Sequence, residues 1–165
     1  MDIKYRRLKW NEIEEMSKQL KISYTHAYRN LMDSKYLDSI TDKHWIPYLE
    51  KSMKTGETCL VAEYHQKIIG STEFTTVIEN DVFARWHAFY LLPEFIGQGI
   101  GHNFYKKIEK EMKEQGCQYC LLEVLSNNQK AKHFYTIHGY KKIRSFTVKE
   151  NGVSFHCDEM LKNFP

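Results

Sequence analysis

The stretch "EFIGQGIGHNF", Glu94–Phe104, sets Gly97, Gly99 and Gly101 within five residues and then runs into a helical pattern. Glycine permits tight turns and close approach by another molecule, at an entropic cost on folding. The mouth of a helix leaves amide N–H groups unpaired, which makes a ready anion site. Together these features predict a phosphate-bearing ligand. Two familiar phosphate loops do not fit. Both G-x-x-x-x-G-K-[ST] and G-x-G-x-x-G require glycine at the sixth position, and counting from Gly97 that position is His102.

Outward from the loop, Ile100, Phe104, Ile108 and Met112 recur every four residues, one face of a helix that Gly116 ends. The preceding "WHAFYLLP" (Trp86–Pro93) reads as a strand closed by its proline. The following "YCLLEV" is almost continuously apolar, the pattern of a strand covered on both faces. Strand, glycine loop, helix and strand should form a right-handed crossover.

"IKYRRL" (Ile3–Leu8) reads as a short strand. Asn11 with Glu14 resembles a capping box, and Ile13, Met16, Leu20, Tyr24 and Ala27 keep helical spacing after it. "SKYLDSITDKHWIPYLEKSMK" reads as a second helical region with Pro47 near a first turn or break, stopped at Thr55-Gly56. "TCLVAEY" and "KIIGSTEFTTVI" form a hairpin across His65-Gln66, and Asn80-Asp81 makes a turn. "NQKAKHFYTIH" is a short helix closed by Gly139, and "YKKIRSFTV" joins "SFHCDEML" through Asn151-Gly152, a hairpin signal. The order β-α-α-β-β-β-α-β-α-β-β, with no linker or repeat, predicts one mixed α/β domain over residues 1–165, with helices on both faces of its sheet.

A chain of 165 residues suits one core. A net charge of +3 is too small to argue for nucleic acid. No apolar run approaches the roughly 18 residues that span a bilayer. "MDIKYRRLKW" lacks the apolar core of a signal peptide, so the expected location is the cytoplasm, with no membrane partner. Cys59, Cys117, Cys120 and Cys157 are expected to be free thiols. "CQYC" is a lone C-x-x-C without the second pair of a structural zinc site, so no metal is expected.

At this point the sequence resembles the GNAT N-acetyltransferases. Their signature, [Gln/Arg]-x-x-Gly-x-[Gly/Ala] after a strand ending in proline, is followed closely by "FYLLPEFIGQGIG". Their second motif, roughly N-x-x-A-x-x-x-Y-x-x-x-G-[FY], appears as Asn128, Ala131, Tyr135, Gly139 and Tyr140. The resemblance covers most of residues 58–161, and "SYTHAYRNLMDSKYLDSIT" looks like the first helical region of many bacterial members. One position departs: Ile96 stands where Gln or Arg is usual. A phosphate cradle made of backbone amides survives that change, and Gln98 is placed to compensate in part.

The resemblance implies transfer of acetyl from acetyl-CoA to a primary amine by direct attack. It implies that Ile96, Gly97, Gln98, Gly99, Ile100, Gly101 and His102 surround the pyrophosphate, the amides of Gln98 to His102 pointing at it with the positive end of the helix dipole. The pantetheine arm would pair with the backbone at Phe89, Tyr90 and Leu91, and an amide near Leu91 would stabilise the oxyanion. Asn128 would hold pantetheine, cap the next helix, or both. Lys130, Lys132 and His102 are candidates for CoA phosphates or simply solvated. Tyr135 matches the usual general acid, a phenol with pKa of about 10.

A lysine-like amine, with pKa of about 10.4, must lose a proton before it attacks. Glu123 in "LLEV" matches the glutamate that ribosomal-protein N-terminal acetyltransferases use as base, and burial in an apolar strand would raise its pKa. Many members carry a glutamate on the preceding strand; here "ARWHAF" offers Arg85 and His87, the latter an alternative base with an ordinary pKa of about 6.5. Tyr24, Tyr28, Tyr36, Trp45 and Phe155 are candidates to line the acceptor pocket or to form core. The acceptor is a small-molecule amine or a peptide, and terminal strands leave room for a homodimer. A catalytically weak acetyl-CoA-binding regulatory module is the alternative, favoured by Ile96 and the missing strand glutamate.

Overall fold

A computed structural model of the chain describes residues 1–150 and 152–165. Its strands are β1 (Lys4–Arg7), β2 (Thr58–Tyr64), β3 (Lys67–Ile78), β4 (Val82–Leu91), β5 (Tyr119–Leu125), β6 (Lys141–Glu150) and β7 (Val153–Asn163). Its helices are α1 (Ile13–Tyr28), α2 (Ser34–Ser39), α3 (Ile46–Lys54), α4 (Ile100–Glu114) and α5 (Gln129–Ile137). The strands form one mixed sheet in the order β1-β2-β3-β4-β5-β7-β6. The fold is therefore the α/β class read from the sequence, with one helix more: the second helical region is two helices, and Pro47 lies in the first turn of α3.

The chain separates into two compact units, Met1–Phe74 with Ala88–Glu111, and Thr75–His87 with Met112–Pro165. In the first, β1 pairs antiparallel with β2, and β2 with β3. The β2–β3 hairpin turns on His65 and Gln66, both left-handed at φ 49° and 63°, as a two-residue loop between right-twisted strands requires. Helix α1 buries Ile13, Met16 and Leu20 against Leu8, Leu49, Cys59, Val61 and Ile68. Each such burial is worth about 1.5–3 kcal/mol. Its start differs from the expectation at Asn11: a 3-10 turn, Trp10–Glu12, precedes it, and Glu12 rather than Glu14 accepts the cap bond, from the Lys9 amide at 3.0 Å.

Strands β3 and β4 approach closely within this unit. A side chain at Gly70 would put its Cβ 2.5 Å from Leu91 Cδ2 and 3.2 Å from the Tyr90 carbonyl oxygen, so any added methyl forces Leu91 to turn away and crowds the β4 backbone.

In the second unit, β4 runs parallel to β5, from Phe83 opposite Tyr119 to Trp86 opposite Leu122. Both strands continue past the last pair. Strand β7 pairs antiparallel with β5 and with β6. The Asn151 turn read from the sequence lies outside the described residues. Strand β5 is covered on one face only, through Cys120, Leu122 and Val124, whereas Glu123 is exposed. The expectation of two covered faces is thereby corrected: its apolar run overstates burial because Leu121 and Leu125 are only half-buried.

Candidate functional site

The residues expected to act fall into two groups, one in each unit. The first is the glycine loop. After Pro93–Phe95 closes a 3-10 turn, Gly97 and Gly99 adopt φ of 82° and 81°, where a side chain strains the backbone. No atom lies within 4 Å of a Cβ built at either. The glycines therefore serve the left-handed turns and leave open space above the loop. The Asn103 amide donates to the Gly99 carbonyl at 3.2 Å, so helix geometry leaves the turn before it opening on amides without an intrahelical acceptor.

The side chains around the loop brace it. Gln98 Nε2 donates to the Glu94 carbonyl at 2.7 Å, so Gln98 is turned back on the loop rather than outward. Buried Ile100 anchors the helix start, and its carbonyl accepts from the Tyr5 hydroxyl at 3.5 Å. Gly101 and exposed His102 complete the first turn, and Ile96 stands exposed before it. The backbone geometry, the open space and the helix mouth suit a diphosphate, and that is the fit expected for acetyl-CoA.

Just before the loop, alternate peptide groups of β4 are held on its β3 side, by β3 itself and by α1. The Leu92 amide donates to the Ile69 carbonyl at 2.8 Å, Thr72 Oγ1 donates to the Ala88 carbonyl at 2.7 Å, and Gln19 Nε2 reaches the Tyr90 carbonyl at 3.3 Å. By strand alternation Phe89 and Leu91 address the opposite edge. Of the three residues expected to pair with pantetheine, Tyr90 thus has its backbone on the β3 side. Its ring joins Tyr24 at 5.9 Å, and its hydroxyl lies 3.0 Å from that of Tyr28. Tyr24 also meets Trp45 at 5.1 Å, so three of the five aromatics proposed for an acceptor pocket cluster, while Tyr36 is exposed.

The same unit holds a polar group that the sequence did not single out. Buried Glu73 accepts from Tyr48 Oη at 2.9 Å and Ser52 Oγ at 3.0 Å. Burial pushes its carboxyl above the ordinary range, and the nearby Cys59 thiol is pushed up to about 12, by burial first and the Glu73 charge next.

The second group belongs to the other unit. Arg85, Trp86, His87, Leu121, Leu122, Glu123 and Glu159 line a cavity of about 320 Å³. Glu123 is exposed to it rather than buried in its strand as expected. His87 Nε2 is held 2.7 Å from Thr75 Oγ1. Arg85 lies over the Phe83 ring at 5.5 Å. Glu159 stands opposite Glu123 across the β5–β7 ladder and is paired by Arg144, at 3.1 Å from Nε. Glu159 and Arg144 escaped sequence reading because only the strand register brings them to Glu123.

Tyr135 sits on α5 and packs edge-on against Trp86 at 5.4 Å and Tyr140 at 5.8 Å. Asn128 caps that helix, its Oδ1 accepting from the Ala131 amide at 3.2 Å. Lys132 is engaged within the protein: its ammonium donates to the Ser126 carbonyl at 3.1 Å and pairs with buried Asp158 at 2.8 Å. Lys130 is exposed. The four cysteines are free thiols. Among the described residues no helix is long and apolar enough to cross a membrane.

Comparison with known proteins agrees with this geometry. A curated uncharacterized N-acetyltransferase of Archaeoglobus fulgidus is 28% identical over 116 residues, 68% of this chain and 78% of that one. The PaiA N-acetyltransferase of Thermoplasma acidophilum, solved in complex with coenzyme A, superposes with a TM-score of 0.77 at 24% identity, over 99% of this chain and 100% of that one. The yncA structure from Salmonella typhimurium, with its cofactor acetyl-CoA, gives 0.72 at 14% identity, over 98% and 93%. The acetyltransferase (GNAT) family profile matches residues 23–140, which takes in the end of α1 and both motifs up to Tyr140. On the glycine loop, the Asn128–Tyr140 motif and this match, the chain belongs to the GNAT family of acetyltransferases.

Proposed function

We propose that the chain transfers acetyl from acetyl-CoA to a primary amine, carried by a small molecule or a peptide, by direct attack. The observation that carries this reading is the left-handed Gly97–Gly99 turn, open above its glycines and feeding the N-terminus of α4. Residues 96–102 hold the diphosphate there through backbone amides and the helix dipole. The Phe89 and Leu91 peptide groups receive the pantetheine arm, and Asn128 caps the start of α5, the helix that bears Tyr135.

Acetyl-CoA supplies the activated acetyl thioester. Glu123 takes the ammonium proton from the acceptor, leaving the lone pair free to form the new carbon–nitrogen bond. His87, already bonded to Thr75, is the alternative base. An amide near Leu91 receives the negative charge that develops on the carbonyl oxygen. Tyr135 gives its phenolic proton to the sulfur as the carbon–sulfur bond breaks, and regains it through water as the new amide nitrogen sheds the extra proton left by the attack. Trp86 and Tyr140 fix the ring that does this.

The alternative, an acetyl-CoA-binding regulatory module, is favoured by Ile96, whose exposed side chain offers no hydrogen bond, and by Arg85 and His87 where a strand carboxylate is usual. Thiol release from acetyl-CoA across an amine panel, with products identified by mass spectrometry, separates the two. Acetyl transfer is expected for at least one amine. Binding by calorimetry without turnover supports the module, and absence of acetyl-CoA binding refutes both.

A further inference from the structure

The cavity beside β4 and β5 carries two opposite charges that do not neutralise each other. Arg85 and Glu123 both line it. Among the described residues the Arg85 guanidinium lies over the Phe83 ring, and neither it nor the Glu123 carboxylate makes a hydrogen bond or ion pair. Glu159, by contrast, is matched by Arg144.

The register explains why they stay apart. Arg85 is opposite Leu121, and Glu123 lies two residues further along β5 on the same face. Strand spacing and rise put their Cα atoms about 8 Å apart. Glu159, directly opposite Glu123, adds a like charge beside it, an arrangement that destabilises a sheet unless a cation intervenes. Arg144 answers one of these two carboxylates, and Glu123 remains.

A ligand bearing one charge would satisfy half of this site and oppose the other half. A polyamine would meet Glu123 but set a cation against Arg85. A ligand with an ammonium and a carboxylate separated by a few bonds answers both. We propose that the acceptor is an amine that carries its own carboxylate, an amino acid or short peptide, with Arg85 gripping its carboxylate and Glu123 its ammonium. This rests on the acetyltransferase reading and names its substrate class. Guanidinium and carboxylate meet in a bidentate fork, which fixes orientation as well as charge.

The test compares matched acceptors that differ in the carboxylate alone: L-lysine with cadaverine, and glycylglycine with glycylglycinamide. The expected result is a kcat/KM at least tenfold higher for the carboxylate-bearing member of each pair, with the ratio falling towards one in Arg85→Gln through a raised KM. Acetyl-CoA binding is read separately by calorimetry. The Arg85 side-chain N–H resonance of the protein alone should shift on adding L-lysine and not on adding cadaverine. Turnover of both members at equal efficiency, or a preference for the diamine, overturns the proposal while leaving the acetyltransferase reading intact. Loss of acetyl-CoA binding and of all turnover would overturn that reading, and this proposal with it.

Discussion

The Asp158 carboxylate, almost wholly buried on β7, lies 2.8 Å from the Lys132 ammonium on α5 and so ties the helix that bears Tyr135 to the sheet beneath it. Ser126 and Ser145 donate to the same carboxylate at 2.7 and 2.8 Å. These bonds to Lys132 and Ser126 hold the Asp158 carboxyl well below the usual carboxylate range.

Asp158→Asn should therefore cost about 3 kcal/mol, the lower end for breaking a buried pair, since Lys132 retains partial solvent access. A depressed pKa gives stability that is present above the unfolded value of 3.8 and is lost as pH falls below it. Urea midpoints measured downward from pH 5 should drop more steeply in wild type than in the variant. Parallel acid limbs would contradict the role of this carboxylate.

Tyr135→Phe keeps the ring packed against Trp86 and Tyr140 and removes only the proton source. Turnover should fall about 100-fold or more, in the range of general acid catalysis, with acetyl-CoA affinity close to wild type. Stopped-flow thiol release together with calorimetry checks both halves, and undiminished kcat removes Tyr135 from the chemistry.

Glu73 should make the protein less stable as pH rises. Its folded pKa is raised by burial, so the folded chain keeps a proton that the unfolded chain has lost. The stabilisation is complete below pH 4.5, the unfolded value, and is lost as pH climbs through the folded value. Glu73→Gln should level the decline in denaturation midpoint above pH 4.5. A variant as pH-sensitive as wild type would assign the slope to other groups.

Gly70→Ala should damage the β4 edge without touching any charged group. The new methyl collides with Leu91 Cδ2 and crowds the Tyr90 carbonyl. Overpacking of this kind costs about 1–3 kcal/mol, and displacement of Leu91 should raise the KM for acetyl-CoA several-fold. Leu91→Ala in the same chain should recover part of the stability, a coupling that a double-mutant cycle reads directly. Strictly additive losses would show that the two positions do not meet.

Local chemistry wrote most of the element order into the sequence. The His65-Gln66 turn, the Pro47 helix start, the Gly116 stop and the period-four face of α4 each depend on residues a few positions apart, and each was legible. Burial on β5 was not, because an apolar run does not reveal how many faces a neighbour covers. Glu123 is exposed for that reason, and its partnership with Glu159 depends on pairing between segments about 35 residues apart in the chain, where register is set by the assembled sheet. The capping box lies two residues earlier than expected, on the 3-10 turn at Trp10 rather than on α1, because Glu12 and Glu14 both offer a carboxylate and that turn uses Glu12. Lys132 shows the same limit: only the fold distinguishes a lysine that braces a helix from one that meets solvent.

If the pantetheine arm pairs with β4 as proposed, the alternation of peptide groups along that strand has a consequence for acyl selectivity. Strand contacts repeat every two residues, a rise of about 6.6 Å. An arm zipped to the Phe89 and Leu91 edge can slip only by that whole step. One additional methylene on the acyl group is far shorter than the step and cannot be absorbed by sliding. The edge then acts as a ruler, so propionyl and longer groups find room at the far end of the arm or are refused outright.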